Sequence, residues 1–187
     1  MARLMNAFIS ECRQHRKLPD WPERIRLAMA ALIVKDGLAE ELISELDPEF
    51  GGQLKYYLRS AELTIFSIKS DGGLRGPPHD HRVTAVVGLV TGVEQFKIYS
   101  AEGDQISETG LHRVVAPEVE ILPDNLVHAL WNQESEGGLS LHLYGNSFFD
   151  IPERRLWNPR TFACQAFDEK LNFEWTRELT YAARGLS

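Results

Sequence analysis

The chain has 187 residues, 43% of them apolar and 25% charged, with a net charge of −7; that is enough for one sizeable core and too short for two comfortable domains. Acidity without a Lys/Arg block argues against nucleic acid or an anionic membrane as a main partner, and no stretch approaches the length of a membrane span. Only Cys12 and Cys164 are present, which rules out a disulfide framework or a thiolate cluster and leaves any metal to His and carboxylate.

The N-terminus, "MARLMNAFISECRQ", interrupts its apolar residues with Asn6, Glu11 and Arg13, unlike a signal peptide, so a cytoplasmic protein is expected. From residue 3 to about 46 the pattern is helical. "LMNAFISECRQ" puts Leu4, Phe8 and Ile9 on one stripe, and "PERIRLAMAALIVKDGLAEELISEL" opens with a proline suited to a first helical turn. Two or three helices fit. After "DPEFGG" the segments become short and rich in β-branched and aromatic residues: "AELTIFSIKS", "RVTAVVGLV", "VEQFKIYS", "VEILP", "LVHALWN" and "LSLHLYGNSFF". They predict an antiparallel sandwich or barrel. Residues 151–187 mix aromatics and charges without a clear period and are expected to pack back on it. The expectation is a single domain, mainly β and α+β in outline, with helices over 1–47, a β core over 48–150 and a C-terminal segment.

Two polar clusters stand out. In "GPPHDHRVTAVVGLVTG", His79 and His81 are two residues apart, so on a strand they share a face roughly 7 Å apart while Asp80 points away. In "SLHLYG", Ser140, His142 and Tyr144 share one face of a strand and Leu141 and Leu143 the other. Each has an ordinary reading, as solvated or hydrogen-bonded residues at a strand mouth and as a polar strand face meeting water. His15, on a helix, and His112, in the loop-like "ETGLHRV", read as surface residues.

Gly73, His79, His81 and Gly92 fit the spacing of the first signature of the cupin family, and Pro123, Asn125, His128 and Asn132 resemble the second, with Asn125 in place of the usual Gly and Pro117 where another Gly is common. The resemblance implies a double-stranded β-helix of jelly-roll type. Asn at the Gly position suits a turn with φ > 0. The positions of a frequent fourth Glu ligand hold Ala85 and Val86, so the site resembles a three-histidine type. Three neutral imidazoles suit Fe(II), Zn(II), Cu(II) or Ni(II) and leave coordination positions open.

"PPHDH", the second-motif His128 and the alternating Ser, His and Tyr together resemble the cysteine dioxygenase family of thiol dioxygenases, in its bacterial form, over roughly residues 55 to 150. This implies Fe(II) on His79, His81 and His128, with Ser140, His142 and Tyr144 as an outer relay ending in the Tyr144 hydroxyl, and conversion of a small thiol with O2 to a sulfinic acid. The Cys that animal members crosslink to the relay tyrosine is absent; Ala85 or Val86 stands there. Family members bind the substrate carboxylate with an Arg in a Tyr-x-Arg element, for which Tyr57 and Arg59 of "YYLRS" are candidates; an exposed edge-strand arginine is the equal alternative. Related mercaptopropionate dioxygenases place the Arg elsewhere, and Arg154, Arg155 and Arg160 are available. Phe66, Phe96, Phe148 and Phe149 read as core, and Trp131 as adjacent to the pocket. A diketone-cleaving three-histidine cupin and a non-catalytic metal-bearing cupin that binds a small anion are the alternatives.

Overall fold

A computed structural model of the chain describes residues 3–46, 54–148 and 150–185; Phe149 lies outside them. Among the described residues the N-terminal region forms three helices, α1 (Arg3–His15), α2 (Trp21–Ile33) and α3 (Leu38–Ser44). Their apolar stripes converge. Met5, Phe8 and Cys12 of α1, Ile25, Met29, Leu32 and Ile33 of α2, and Leu38 and Leu42 of α3 are all buried in one cluster. On α1 the buried stripe runs through Met5 and Cys12, with Leu4 and Ile9 on its flanks, a rotation of the expected face.

Among the described residues ten strands follow: β1 (Leu54–Arg59), β2 (Thr64–Ser70), β3 (His79–Asp80), β4 (Ala85–Glu102), β5 (Gln105–Val115), β6 (Glu118–Leu122), β7 (Val127–Leu130), β8 (Gly138–Tyr144), β9 (Arg155–Trp157) and β10 (Cys164–Ala166), then helix α4 (Glu169–Ala183). The expected segments "RVTAVVGLV" and "VEQFKIYS" are one long strand, β4. Its first half pairs with β8 and β6, its second with β5 and β7. β4 thereby passes from one antiparallel sheet (β1, β2, β8, β4, β6) into the other (β5, β4, β7, β3, β9, β10). The turnover point is Gly92, at φ +81°, where a Cβ would stand 1.9 Å from the Gly137 carbonyl oxygen; only glycine fits both the conformation and the approach.

The result is a mainly β, cupin-type double-stranded β-helix preceded by helices. Alternation on the first sheet explains the layering. Ile65, Val86, Leu141 and Leu143 face the helices and complete their cluster, while Phe66, Ala85 and Tyr144 form a separate cluster on the opposite, inner face. No helix among the described residues is long and apolar enough to cross a membrane.

Three sequence expectations change. "ETGLHRV" belongs to β5, and His112 pairs with Glu120 at 2.6 Å. The aperiodic tail supplies β9, which joins the second sheet by pairing with β3, and helix α4, capped by Asp168 accepting from the Leu171 amide. Asn125 is not among the described residues with positive φ, which besides glycines are Arg82 and Phe162.

Candidate metal centre and its surroundings

His79 on β3 lies directly opposite His128 on β7, and in antiparallel pairs such neighbours project from the same face. His81 joins them just beyond β3, where the chain turns through Arg82 at φ +55°. The nitrogens converge: His79 Nε2 is 3.1 Å from His81 Nε2, and His128 Nε2 is 3.3 Å from the same atom. The three potential ligand atoms all lie within 4.8 Å of one another.

The chemistry of the donors fits a metal. Pro77 offers a carbonyl oxygen 3.1 Å from His79 Nδ1; a carbonyl only accepts, so Nδ1 carries the proton and Nε2 presents its lone pair to the cluster. Two nitrogens bound to one first-row ion at about 2.1 Å stand roughly 3.0–3.4 Å apart in octahedral or tetrahedral arrangement, which matches the two close pairs. Burial holds the rings neutral, as ligands must be: it lowers the pKa of His79 to about 4 and those of His81 and His128 well below the ordinary value. The three histidines are a group that can hold a metal ion. Asp80 between them is turned away and fully buried, accepting from the Arg155 amide at 2.7 Å and from Arg155 Nε and Arg82 Nε, each at 2.9 Å.

On β8, Ser140, His142 and Tyr144 face the barrel interior. Ser140 and Tyr144 are buried, and His142 is partly so. Ser140 Oγ lies 3.0 Å from His142 Nε2. The expected continuation from His142 to Tyr144 is not a hydrogen bond here: His142 Nδ1 is shielded from solvent and has no partner among the described residues, and the two rings stand 6.3 Å apart, nearly parallel. The Tyr144 ring meets His81 edge-on at 5.0 Å, which ties the row to the histidine cluster. Burial raises the Tyr144 pKa, so the phenol keeps its proton and serves as a donor. Across the strand pair, Ala85 lies opposite Tyr144, and Val86 faces the helices.

Three of the aromatics read as core also wall this site, Phe66 as a buried member of the inner cluster. Phe66 stacks on His142 at 5.0 Å and Tyr144 at 5.6 Å, Phe148 lies 4.1 Å from Tyr144 and 5.5 Å from His81, and Phe96 stacks on His128 at 5.6 Å. Trp131 is elsewhere, clasped by Arg75 and Lys97 at 4.6 and 4.1 Å.

The arginines separate sharply. A bulge between Tyr56 and Leu58 shifts the register of β1 so that Tyr56 opposes Phe66 and Arg59 opposes Thr64; Tyr56, not Tyr57, therefore shares the inner face with Arg59. Tyr57 points to the helices, its hydroxyl 3.2 Å from Ser67 Oγ. Arg59 is exposed, over the Tyr56 ring at 5.0 Å, in a groove shared with Glu169 and Phe173 of α4. Arg155 is committed to Asp80, and Arg160 is exposed beside Glu178. Arg154 is different. It is 6% exposed, its guanidinium lies between Phe148 at 3.8 Å and Phe167 at 3.6 Å, and it donates to the Phe148 carbonyl at 3.2 Å. Its Nε has no partner among the described residues, and no carboxylate there forms an ion pair with it. Its charge favours the ionised form of Tyr144 and the neutral forms of His79 and His81, so the cation belongs to the same pocket. Burial lowers its own pKa to about 10, which leaves it charged at neutral pH.

Sequence reasoning missed Glu94, an acid on the inner face of β4 that is 4% exposed and bonded to Ser70 and Ser140. The available signal was a lone carboxylate inside the apolar run "VVGLVTGVEQF". An apolar cavity lined by Val87, Leu89, Phe96, Ile98 and Leu122 runs past Glu94 to His128.

No protein-family model matches the chain. Among solved structures it is similar to a DMSP lyase from Ruegeria pomeroyi (18% identity, TM-score 0.44, covering 62% of this chain and 57% of that one). Others are an RmlC-like cupin with a double-stranded β-helix from Methanocaldococcus jannaschii (12%, TM-score 0.42, 51% and 81%) and a conserved protein of unknown function from Streptococcus pyogenes (20%, TM-score 0.40, 50% and 72%). At scores this low none of these likenesses bears on metal, substrate or reaction.

Proposed function

We propose that the chain is an Fe(II)-dependent thiol dioxygenase of the cysteine dioxygenase type, which adds both atoms of O2 to the sulfur of a small carboxylate-bearing thiol, cysteine or 3-mercaptopropionate, to give the sulfinic acid. The observation that carries this reading is a charged guanidinium, Arg154, buried with no ion pair among the described residues in the pocket that holds Tyr144 and three convergent imidazoles, with Asp80 and Glu169 acting on it only at longer range. A buried cation without a directly paired anion is costly unless a ligand supplies one, and a carboxylate matches the fork of an arginine. His79, His81 and His128 would hold the iron. When bound, Fe(II) on three neutral ligands keeps its full charge to acidify the thiol and to bring sulfur and dioxygen together.

The remaining roles belong to the chain. Arg154 pins the substrate carboxylate and so fixes where the sulfur lies. Tyr144 donates its hydroxyl to the substrate or to the oxygen arriving at sulfur. Phe66 and Phe148 exclude water around both. The balance closes without a further reductant, since thiol plus O2 equals sulfinic acid, and the reaction stops at the sulfinate rung of the oxidation ladder.

The test is anaerobic loading with Fe(II), then O2 uptake and product mass with cysteine, 3-mercaptopropionate, cysteamine and a diketone in parallel. One O2 consumed per sulfinate formed, with a carboxylate-bearing thiol preferred, is the expected result. Bound iron with no thiol turnover would sink the proposal, and uptake with the diketone alone would favour carbon–carbon cleavage.

A further inference from the structure

Glu94 is a buried acid that the proposed reaction leaves unused, and its hydrogen bonds run one way. Glu94 Oε1 lies 3.2 Å from Ser70 Oγ and 3.1 Å from Ser140 Oγ. Ser140 Oγ in turn lies 3.0 Å from His142 Nε2. Ser70 is itself held by the Gly138 amide, which donates to its oxygen at 3.1 Å. Ser70 Oγ has a second acceptor at the same distance, the Gly138 carbonyl at 3.2 Å, whereas Ser140 Oγ sits between the carboxylate oxygen and the imidazole; a carboxylate accepts, so Ser140 donates to Glu94.

A hydroxyl has one proton. If Ser140 gives its proton to Glu94, only its lone pairs remain for His142, and Nε2 must donate to them. A neutral imidazole has one N–H, so Nδ1 is then a bare lone pair. Nδ1 is the atom that is buried and unpartnered among the described residues. The burial of Glu94 raises its pKa while the two serines oppose that shift, in keeping with an acceptor held by donors. Phe66 stacks on His142 with the ring planes 4° from parallel and their centroids 5.0 Å apart, a contact that resists rotation of the imidazole out of that plane.

We infer that Glu94 is a positioning residue: acting through Ser140, it fixes His142 as the Nε2–H tautomer and reserves Nδ1 as a hydrogen-bond acceptor inside the barrel. The polar row therefore starts at Ser70 and Glu94, one strand away from "SLHLY". The site gains an acceptor of fixed direction beside the Tyr144 donor. Only the use of that acceptor in turnover rests on the thiol dioxygenase reading; the tautomer itself involves neither metal nor thiol.

The test reads the ring directly. In the 15N-histidine-labelled full-length chain, metal-free and loaded with diamagnetic Zn(II), two-bond 1H–15N spectra report which nitrogen of His142 bears hydrogen. The natural chain is expected to show Nε2–H. Glu94→Gln keeps an acceptor oxygen for Ser140 and should leave the tautomer unchanged. Glu94→Leu removes it, so the Ser140 proton turns to Nε2 and the ring proton moves to Nδ1. A natural chain with Nδ1–H overturns the inference whatever the variants do, which covers a Leu variant that fails to fold. A folded Leu variant that stays Nε2–H, or a Gln variant that switches, overturns it as well. Because no turnover is measured, a failed thiol assay and a failed tautomer assignment are separate results.

Discussion

Replacing Arg154 with Met separates substrate binding from stability in one variant. The side chain is 6% exposed, gives one hydrogen bond, to the Phe148 carbonyl at 3.2 Å, and is sandwiched by two rings. Met has similar length and keeps the ring contacts, worth about 0.3–1.5 kcal/mol each through sulfur. It also removes the desolvation cost of a buried cation that has no ion pair among the described residues, which offsets the lost hydrogen bond. The melting temperature of the metal-free chain should therefore hold or rise. Binding should suffer instead: hydrogen bonds to a charged group contribute about 1.5–3 kcal/mol, which corresponds to a rise in KM of roughly 10- to 150-fold for 3-mercaptopropionate or cysteine. Cysteamine has no carboxylate and should be indifferent. Steady-state O2 uptake with the three thiols, beside thermal melts, reads both quantities. An unchanged KM for the carboxylate thiols refutes the role, and a large loss of stability would make Arg154 a strut between Phe148 and Phe167.

Other expectations follow from the same contacts. Asp80→Ala strips three donors of a fully buried acceptor and should destabilise the chain by about 2–4 kcal/mol while weakening metal retention; denaturant midpoints and metal titration check both, and a variant with natural stability would remove Asp80 as the anchor of β3. Gly92→Ala brings a Cβ to 1.9 Å from the Gly137 carbonyl oxygen, whereas Gly103, at φ +60°, has nothing within 4 Å. Gly103→Ala should cost only about 1–2 kcal/mol of backbone strain and Gly92→Ala clearly more, so equal denaturant midpoints would refute the close approach. Burial lowers the His142 pKa from 6.5 to about 4. The neutral ring is favoured in the fold, so this stability is present above pH 6.5 and lost as pH falls toward 4, up to about 3 kcal/mol. Metal-free His142→Phe should lose less stability over that window, and a slope identical to that of the natural chain would refute the assignment.

The layering of the fold was legible because strand alternation is a local property. "SLHLY" states which residues share a face, and the helices on one side need Leu141 and Leu143 while the barrel interior takes the others. What pattern does not state is continuity. Gly92 reads as a terminator between two strands, yet it is the point where one strand crosses between sheets, because a positive φ can redirect a strand as well as end it. The tail was illegible for another reason: β9 and β10 are three residues each, below the length at which any period can show, and β9 is held by pairing with β10 and, at Leu156, with His79 of β3.

The site divides along the same line. His79, His81 and His128 could be named because each sits in a motif with fixed spacing, and motif spacing survives any register. Substrate contacts have no such protection. The step from "YYLRS" to an inner face assumed unbroken alternation, and one bulged residue sent Tyr57 to the helices and left Tyr56 beside Phe66. Among Arg154, Arg155 and Arg160 the sequence holds no difference at all. The structure separates them by what each guanidinium meets: Asp80 for Arg155, solvent and Glu178 for Arg160, and for Arg154 two aromatic rings with no ion pair among the described residues. Glu94 shows the same limit from the other side, since its hydrogen bonds to Ser70 and Ser140 span 24 and 46 residues. A carboxylate in an apolar strand announces that it has a partner, and only the fold says that the partner orients a histidine.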